Sequence, residues 1–144
     1  MEGILIEKLH GYLVQNHPDL LVTLSSESKI TNYLHQRVES LENLPSILLA
    51  EGKPTHVVEE ICMEALTRDL RPSKFIFLCS FLQEHFEATY YEWLDGGFLT
   101  YEVINLLEIC KPVFDHFGFN EGSEGDRPFC YCLMGSIQEY MNSN

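Results

Sequence analysis

Apolar residues recur along this chain every three or four positions, the spacing of one face of an α-helix. Leu5, Leu9, Tyr12 and Leu13 mark the first such face. That helix is expected to stop near Asn16, because Pro18 disfavours helical geometry at His17. The next stretch, PDLLVTL, reads as a short helical turn or an extended connector. SSES then offers an N-cap for a second helix with the stripe Ile30, Tyr33, Leu34, Arg37, Val38 and Leu41. Arg37 can lay its methylene stem along that stripe. Pro45 breaks or kinks the helix. SILLAEG carries it on to Gly52, a residue type suited to the position just past a helix end.

Thr55 is a candidate N-cap for a third helix bearing Val58, Ile61, Ala65 and Leu66. Ser73 is a candidate cap for a fourth, which opens KFIFLCSFL. Phe75, Leu78, Leu82, Phe86, Thr89 and Trp93 hold helical spacing, so the fourth helix is predicted to run through Trp93. Its first half is apolar on nearly all sides, which predicts a buried central helix. Asp95-Gly96-Gly97 could close a β-hairpin. A helix stop is the preferred reading, because the flanks do not alternate. Thr100 then caps a fifth helix through Val103, Leu106, Leu107 and Cys110, which Pro112 kinks or restarts and Gly118 ends. FNEGSEGD reads as a mobile loop. A last helix follows Asp126, with Pro128 in its first turn and Phe129, Leu133, Ile137 and Tyr140 as its stripe. No internal repeat is visible. About six helices with short links predict an all-α fold, a compact single-domain bundle over residues 1–144.

Charge narrows the function. The chain has 22 acidic and 9 basic residues, a net charge of −13, and no basic segment. Phosphate neutralisation needs Lys and Arg, as does attraction to anionic lipid. Direct nucleic-acid binding and membrane attachment are therefore disfavoured. Excess acid also simply keeps a small protein dissolved. The cysteines number five, an odd count, and no secretory signal precedes them. A cytoplasmic location with reduced thiols is expected.

Candidate chemistry is sparse. Cys130-Tyr131-Cys132 resembles a metal clip, but on a helix the two thiols lie about 200° apart and cannot share one tetrahedral ion. Cys132 is expected on the core stripe beside Phe129 and Leu133, and Cys130 beside Met134 and Ile137. Glu7 and His10 form a single Glu-x-x-His pair, where di-iron bundles need two. His35 with Glu39 and Glu42, and His56 with Glu59 and Glu60, read as exposed helix faces. His85 reads as a structural group at the core edge, and His116 as a donor to a helix end. There is no Walker A loop, no G-x-G-x-x-G and no nucleophile elbow. No catalytic residue, metal ligand or cofactor is assigned. Tyr90, Tyr91, Trp93 and Phe98 form the densest aromatic group, and aromatics are enriched at protein interfaces.

Three stretches carry a resemblance: YLVQNHPDL at 12–20, ALTRDLRPSKF at 65–75 and LLEICKPVFDHFGF at 106–119. Together they resemble a Bacteroidetes family of small all-helical proteins, a domain of unknown function often encoded on conjugative transposons. The specific points of agreement are His17-Pro18, Ser73-Lys74 and Cys110. The resemblance implies a helical domain from a mobile element and transfers no activity. The leading expectation is a non-enzymatic domain acting through protein–protein contact, with a separate partner or as a homo-oligomer. One alternative is an acidic decoy that mimics nucleic acid before a DNA-binding protein. Another is a metal-binding or enzymatic protein that uses His and Glu.

Overall fold

The computed structural model describes residues 1–143, and these contain α-helices, two 3-10 turns and no strand. The all-α expectation holds. Among the described residues, ten α-helices replace the expected six or so. The chain divides into two compact units, Met1–Arg71 and Pro72–Asn144, each with its own apolar core.

The first unit runs α1 (Glu2–Asn16), α2 (Pro18–Leu24), α3 (Glu27–Glu39), α4 (Leu44–Ala50) and α5 (Thr55–Thr67), followed by a 3-10 turn at Arg68–Leu70. Its core joins Leu5, Leu9 and Leu13 of α1 to Leu34 and Val38 of α3, Leu48 of α4, and Val58, Cys62 and Leu66 of α5. The second unit runs α6 (Lys74–His85), α7 (Glu87–Gly96), α8 (Leu99–Ile109), α9 (Lys111–Phe117), a 3-10 turn at Ser123–Gly125, and α10 (Arg127–Asn142). Its core joins Phe75, Leu78, Phe81 and Leu82 of α6 to Val103 and Leu106 of α8, Phe114 of α9, and Phe129, Leu133 and Ile137 of α10.

The two units share one plan. In each, the first helix ends at a residue of near-identical geometry: His17 at φ −141°, ψ 53° and Phe86 at φ −137°, ψ 51°. Each of these residues donates its N–H to the carbonyl four positions back, Leu13 at 2.8 Å and Leu82 at 2.7 Å. The second helix then stops at a left-handed residue, Ser25 (φ 63°) or Gly97 (φ 80°). The fourth is a seven-residue helix with proline in second place, Pro45 or Pro112, followed by a left-handed glycine, Gly52 or Gly118. The fifth presents a stripe of three buried residues four apart, Val58-Cys62-Leu66 or Phe129-Leu133-Ile137.

The extra helices come from these corners. The fourth helix of the sequence reading does not continue to Trp93 but turns at Phe86. A straight helix from Phe75 to Trp93 would be about 28 Å long. Turning at Phe86 lets both halves face the same small core, with Phe86, Tyr90 and Trp93 packed against it. The front half, α6, is the heavily buried helix of its unit, although Ile76 remains exposed. Proline splits the other two places as anticipated, so α3 and α4, and α8 and α9, are separate helices. The helix stop at Asp95-Gly96-Gly97 is present, and there is no hairpin.

Caps follow the sequence in part. Ser26, Ser73 and Asp126 each accept a backbone N–H, from Lys29 (3.2 Å), Ile76 (3.1 Å) and Phe129 (3.2 Å). Thr100 does not cap α8, which begins one residue earlier after Phe98. Thr55 is the first residue of α5 and not its cap. The FNEGSEGD stretch is folded around Ser123, which is buried and whose Oγ accepts the Asn120 N–H at 2.9 Å.

Candidate interaction surface

The end of α7 carries the aromatic group singled out in the sequence, and its members separate. Trp93 and Tyr90 pack against the core of the second unit. The Trp93 ring meets Tyr140 of α10 edge to face at 6.5 Å. Tyr140 in turn donates its hydroxyl proton to Glu102 at 2.5 Å. Tyr91 and Phe98 turn outward, 41% and 59% exposed. The Tyr91 ring is held by an edge contact with Tyr90 at 5.0 Å and by Gln83 Nε2, which donates to its hydroxyl at 3.0 Å. Phe98 lies over Gly96, where a Cβ would come within 2.9 Å of the ring. Gly96 therefore makes room for Phe98.

Two further exposed apolar residues belong to this stretch and were missed: Leu94 and Tyr101. The signal was present in the spacing. Leu94 is one turn from Tyr91, and Tyr101 is three positions from Phe98. Exposed acids intersperse them, namely Glu87, Glu92 and Asp95. The whole second unit holds 11 acidic and three basic residues. Two of those bases are engaged, Lys111 with Asp115 at 2.9 Å and Lys74 over the Phe114 ring at 5.4 Å.

A second concave feature of the same unit is a cavity of about 490 Å³ between α6, the Ser123–Gly125 turn and α10. Phe77, Phe81 and Met134 are among its apolar walls, and Glu84, His85, Glu124 and Arg127 are among its polar ones. Sequence reading placed His85 at the core edge. Its ring lies against Phe81 at 4.4 Å, tilted by 48°.

The residues shared with the resembled family occupy helix junctions. His17 forms the α1–α2 corner, its ring beside Tyr12. Burial lowers its pKa below the ordinary imidazole value, against the opposing pull of Asp19 and of the Leu70 backbone. Pro18 starts α2, and Ser73 caps α6. Lys74 lies over Phe114, and Cys110 sits buried between α8 and α9. Burial pushes the Cys110 thiol up to about 11, and that of Cys79 likewise, so both stay protonated near neutral pH.

Elsewhere the candidates remain apart. Among the described residues no group of three or more His, Cys, Asp or Glu is placed to hold a metal ion. Glu59 pairs with Lys8 at 3.5 Å, and His35 faces Glu2 at 3.6 Å. Cys130 is half-buried, but Cys132 is exposed, against the expectation that it joins the core stripe. The buried stripe Phe129-Leu133-Ile137 centres on the direction of Leu133, which puts Cys132 about 100° away around the axis. No described helix is long and apolar enough to cross a membrane.

No curated protein and no solved structure matches the chain significantly. A family model does, over residues 6–144, which is nearly the whole chain and spans every junction described above. The chain thus belongs to the family described as domain of unknown function DUF1896.

Proposed function

We propose that this chain is a non-enzymatic binding domain that captures a basic protein partner through the end of α7. The observation that carries this reading is the exposure of Tyr91, Leu94, Phe98 and Tyr101 along one short stretch interspersed with acids. Exposed rings on a fixed support supply contact area at low entropic cost, and Tyr is a frequent binding hot spot. Surrounding carboxylates select the partner. A segment with apolar side chains flanked by Lys or Arg complements them. A second copy of this acidic unit would bring like charges together. In this reading the chain works in the cytoplasm, in the Bacteroidetes mobile-element setting that the sequence resemblance implies.

The test uses the full chain and an amphipathic helical peptide of Leu and Lys, with a Leu/Glu peptide of the same pattern as control. The Leu/Lys peptide should bind, and Tyr91→Ala with Phe98→Ala should weaken it by about tenfold or more without altering the circular dichroism spectrum. Equal binding to wild type and to the folded double variant sinks the reading. Sedimentation of both proteins covers the other occupant: a dimer that the double variant abolishes would transfer the surface to self-association.

A further inference from the structure

The shared plan of the two units exposes one difference between them. In the first unit α1 packs closely on α5. In the second unit the corresponding helices, α6 and α10, make no such close backbone approach. Large rings span the distance, as in the Phe77–Phe129 contact at 5.7 Å. Further along the same two helices the spacing is not filled, and the cavity of about 490 Å³ opens there. That volume lies within the range of small-molecule sites.

Its lining is amphipathic in a directed way. Phe77 and Phe81 supply aromatic walls from α6, and Met134 a flexible one from α10. Glu84 and Glu124 line it from two different elements. Arg127 is the single basic side chain of fixed charge in the lining, and His85 is the other group able to turn positive. The carboxylates of the lining, Glu84 and Glu124, outnumber its one fixed cation, Arg127. Cys130 lies on the same wall, and its thiol is pushed up first by burial and then by the negative charges of Asp126, Glu84 and Glu124.

We propose that the cavity between α6 and α10 is a binding site for a small organic cation, a ring-sized apolar body bearing one ammonium or amidinium group. The apolar body fills the space between Phe77, Phe81 and Met134, and the cationic group meets Glu84 and Glu124. The exposed ring of Tyr131 at the margin adds a face on which a cation can rest. The same chemistry could be offered by a free amine or by neighbouring Phe and Lys side chains of a peptide. This site shares no lining residue with the end of α7, so the two assignments stand or fall separately.

The experiment titrates the full chain with naphthylmethylamine, and with the isosteric neutral naphthalenemethanol and anionic naphthoate, by calorimetry and amide chemical-shift mapping. The amine should bind at least about fivefold tighter than the alcohol, with naphthoate weakest, and with shifts centred on Ser80, Glu84, Cys130 and Tyr131. Glu84→Gln with Glu124→Gln should erase the preference for the amine while leaving the alcohol unchanged. Both positions are exposed, so the variant keeps its fold. Ser80→Phe, which fills the cavity from an exposed position, should abolish binding of all three probes. Displacement of the amine by a capped Phe-Lys dipeptide assigns the natural ligand to a peptide, and failure to displace it assigns a free amine. Equal affinity for the three probes, or shifts confined to other helices, overturns the proposal.

Discussion

At the residue scale, single side chains decide where helices stop. Ser25 and Gly97 end corresponding helices in the left-handed region, but only one is glycine. An L side chain there costs roughly 1 kcal/mol. Gly97→Ala should therefore destabilise the chain by about 1 kcal/mol, whereas Ser25→Gly should keep or raise stability, as urea denaturation midpoints will show. Both glycines of Asp95-Gly96-Gly97 have a use, one for backbone geometry and one for the Phe98 ring. The sequence identified the stop but not the use of Gly96, because a close approach by a ring two residues along leaves no pattern in composition. Cys132 shows the same limit. Its neighbours were named correctly, but an error of part of a turn in the stripe centre reversed its burial.

At the element scale, Arg37 ties α3 to the turn that ends the first unit. Its guanidinium donates to both oxygens of Asp69, at 2.9 and 2.7 Å, and to the Leu66 carbonyl. This fork holds the 3-10 turn Arg68–Leu70 against α3. Arg37→Ala should cost about 1–2 kcal/mol, at the low end for charged hydrogen bonds because Asp69 is largely exposed. Arg37→Lys should restore less than half, since one ammonium cannot make two parallel bonds and a third. Thermal unfolding of the three proteins provides the comparison. The sequence put Arg37 on the apolar stripe of its helix, which is where its stem lies, but a pattern local to one helix cannot name a partner 32 positions away.

At the scale of the whole molecule, acid should act in two steps. The folded-state pKa of His17 is lowered by burial. Its contribution to stability is thus complete above its ordinary value of 6.5 and is lost as pH falls through the lower folded value. Asp69 and Glu64 are held below their ordinary values by hydrogen bonds from Arg37 and Arg71. Their contributions persist to lower pH and disappear only as the carboxylates protonate. Urea midpoints followed from neutral pH downward should fall in the imidazole range first and in the carboxylate range second. His17→Gln should flatten the first fall and leave the second. An unchanged first fall in that variant would place its origin in another histidine.

Periodicity and punctuation by themselves determined that this chain is helical, where most helices begin, and that prolines divide it. Those are local properties, set by side-chain spacing and by the backbone that proline and glycine allow. Composition determined the net charge of −13, with no basic segment to offset it. Only the tertiary structure decided that α6 turns at Phe86, a residue with no helix-breaking chemistry, because the turn is stabilised by what Phe86, Tyr90 and Trp93 bury. Only the tertiary structure made the common plan of the two units visible, since the shared features are backbone angles and buried positions carried by different residues. And only side-chain packing separated Trp93 and Tyr90, held at the core, from Tyr91 and Phe98, left exposed. Neighbours in sequence share a composition, but burial depends on which direction around the helix each one points and what stands there.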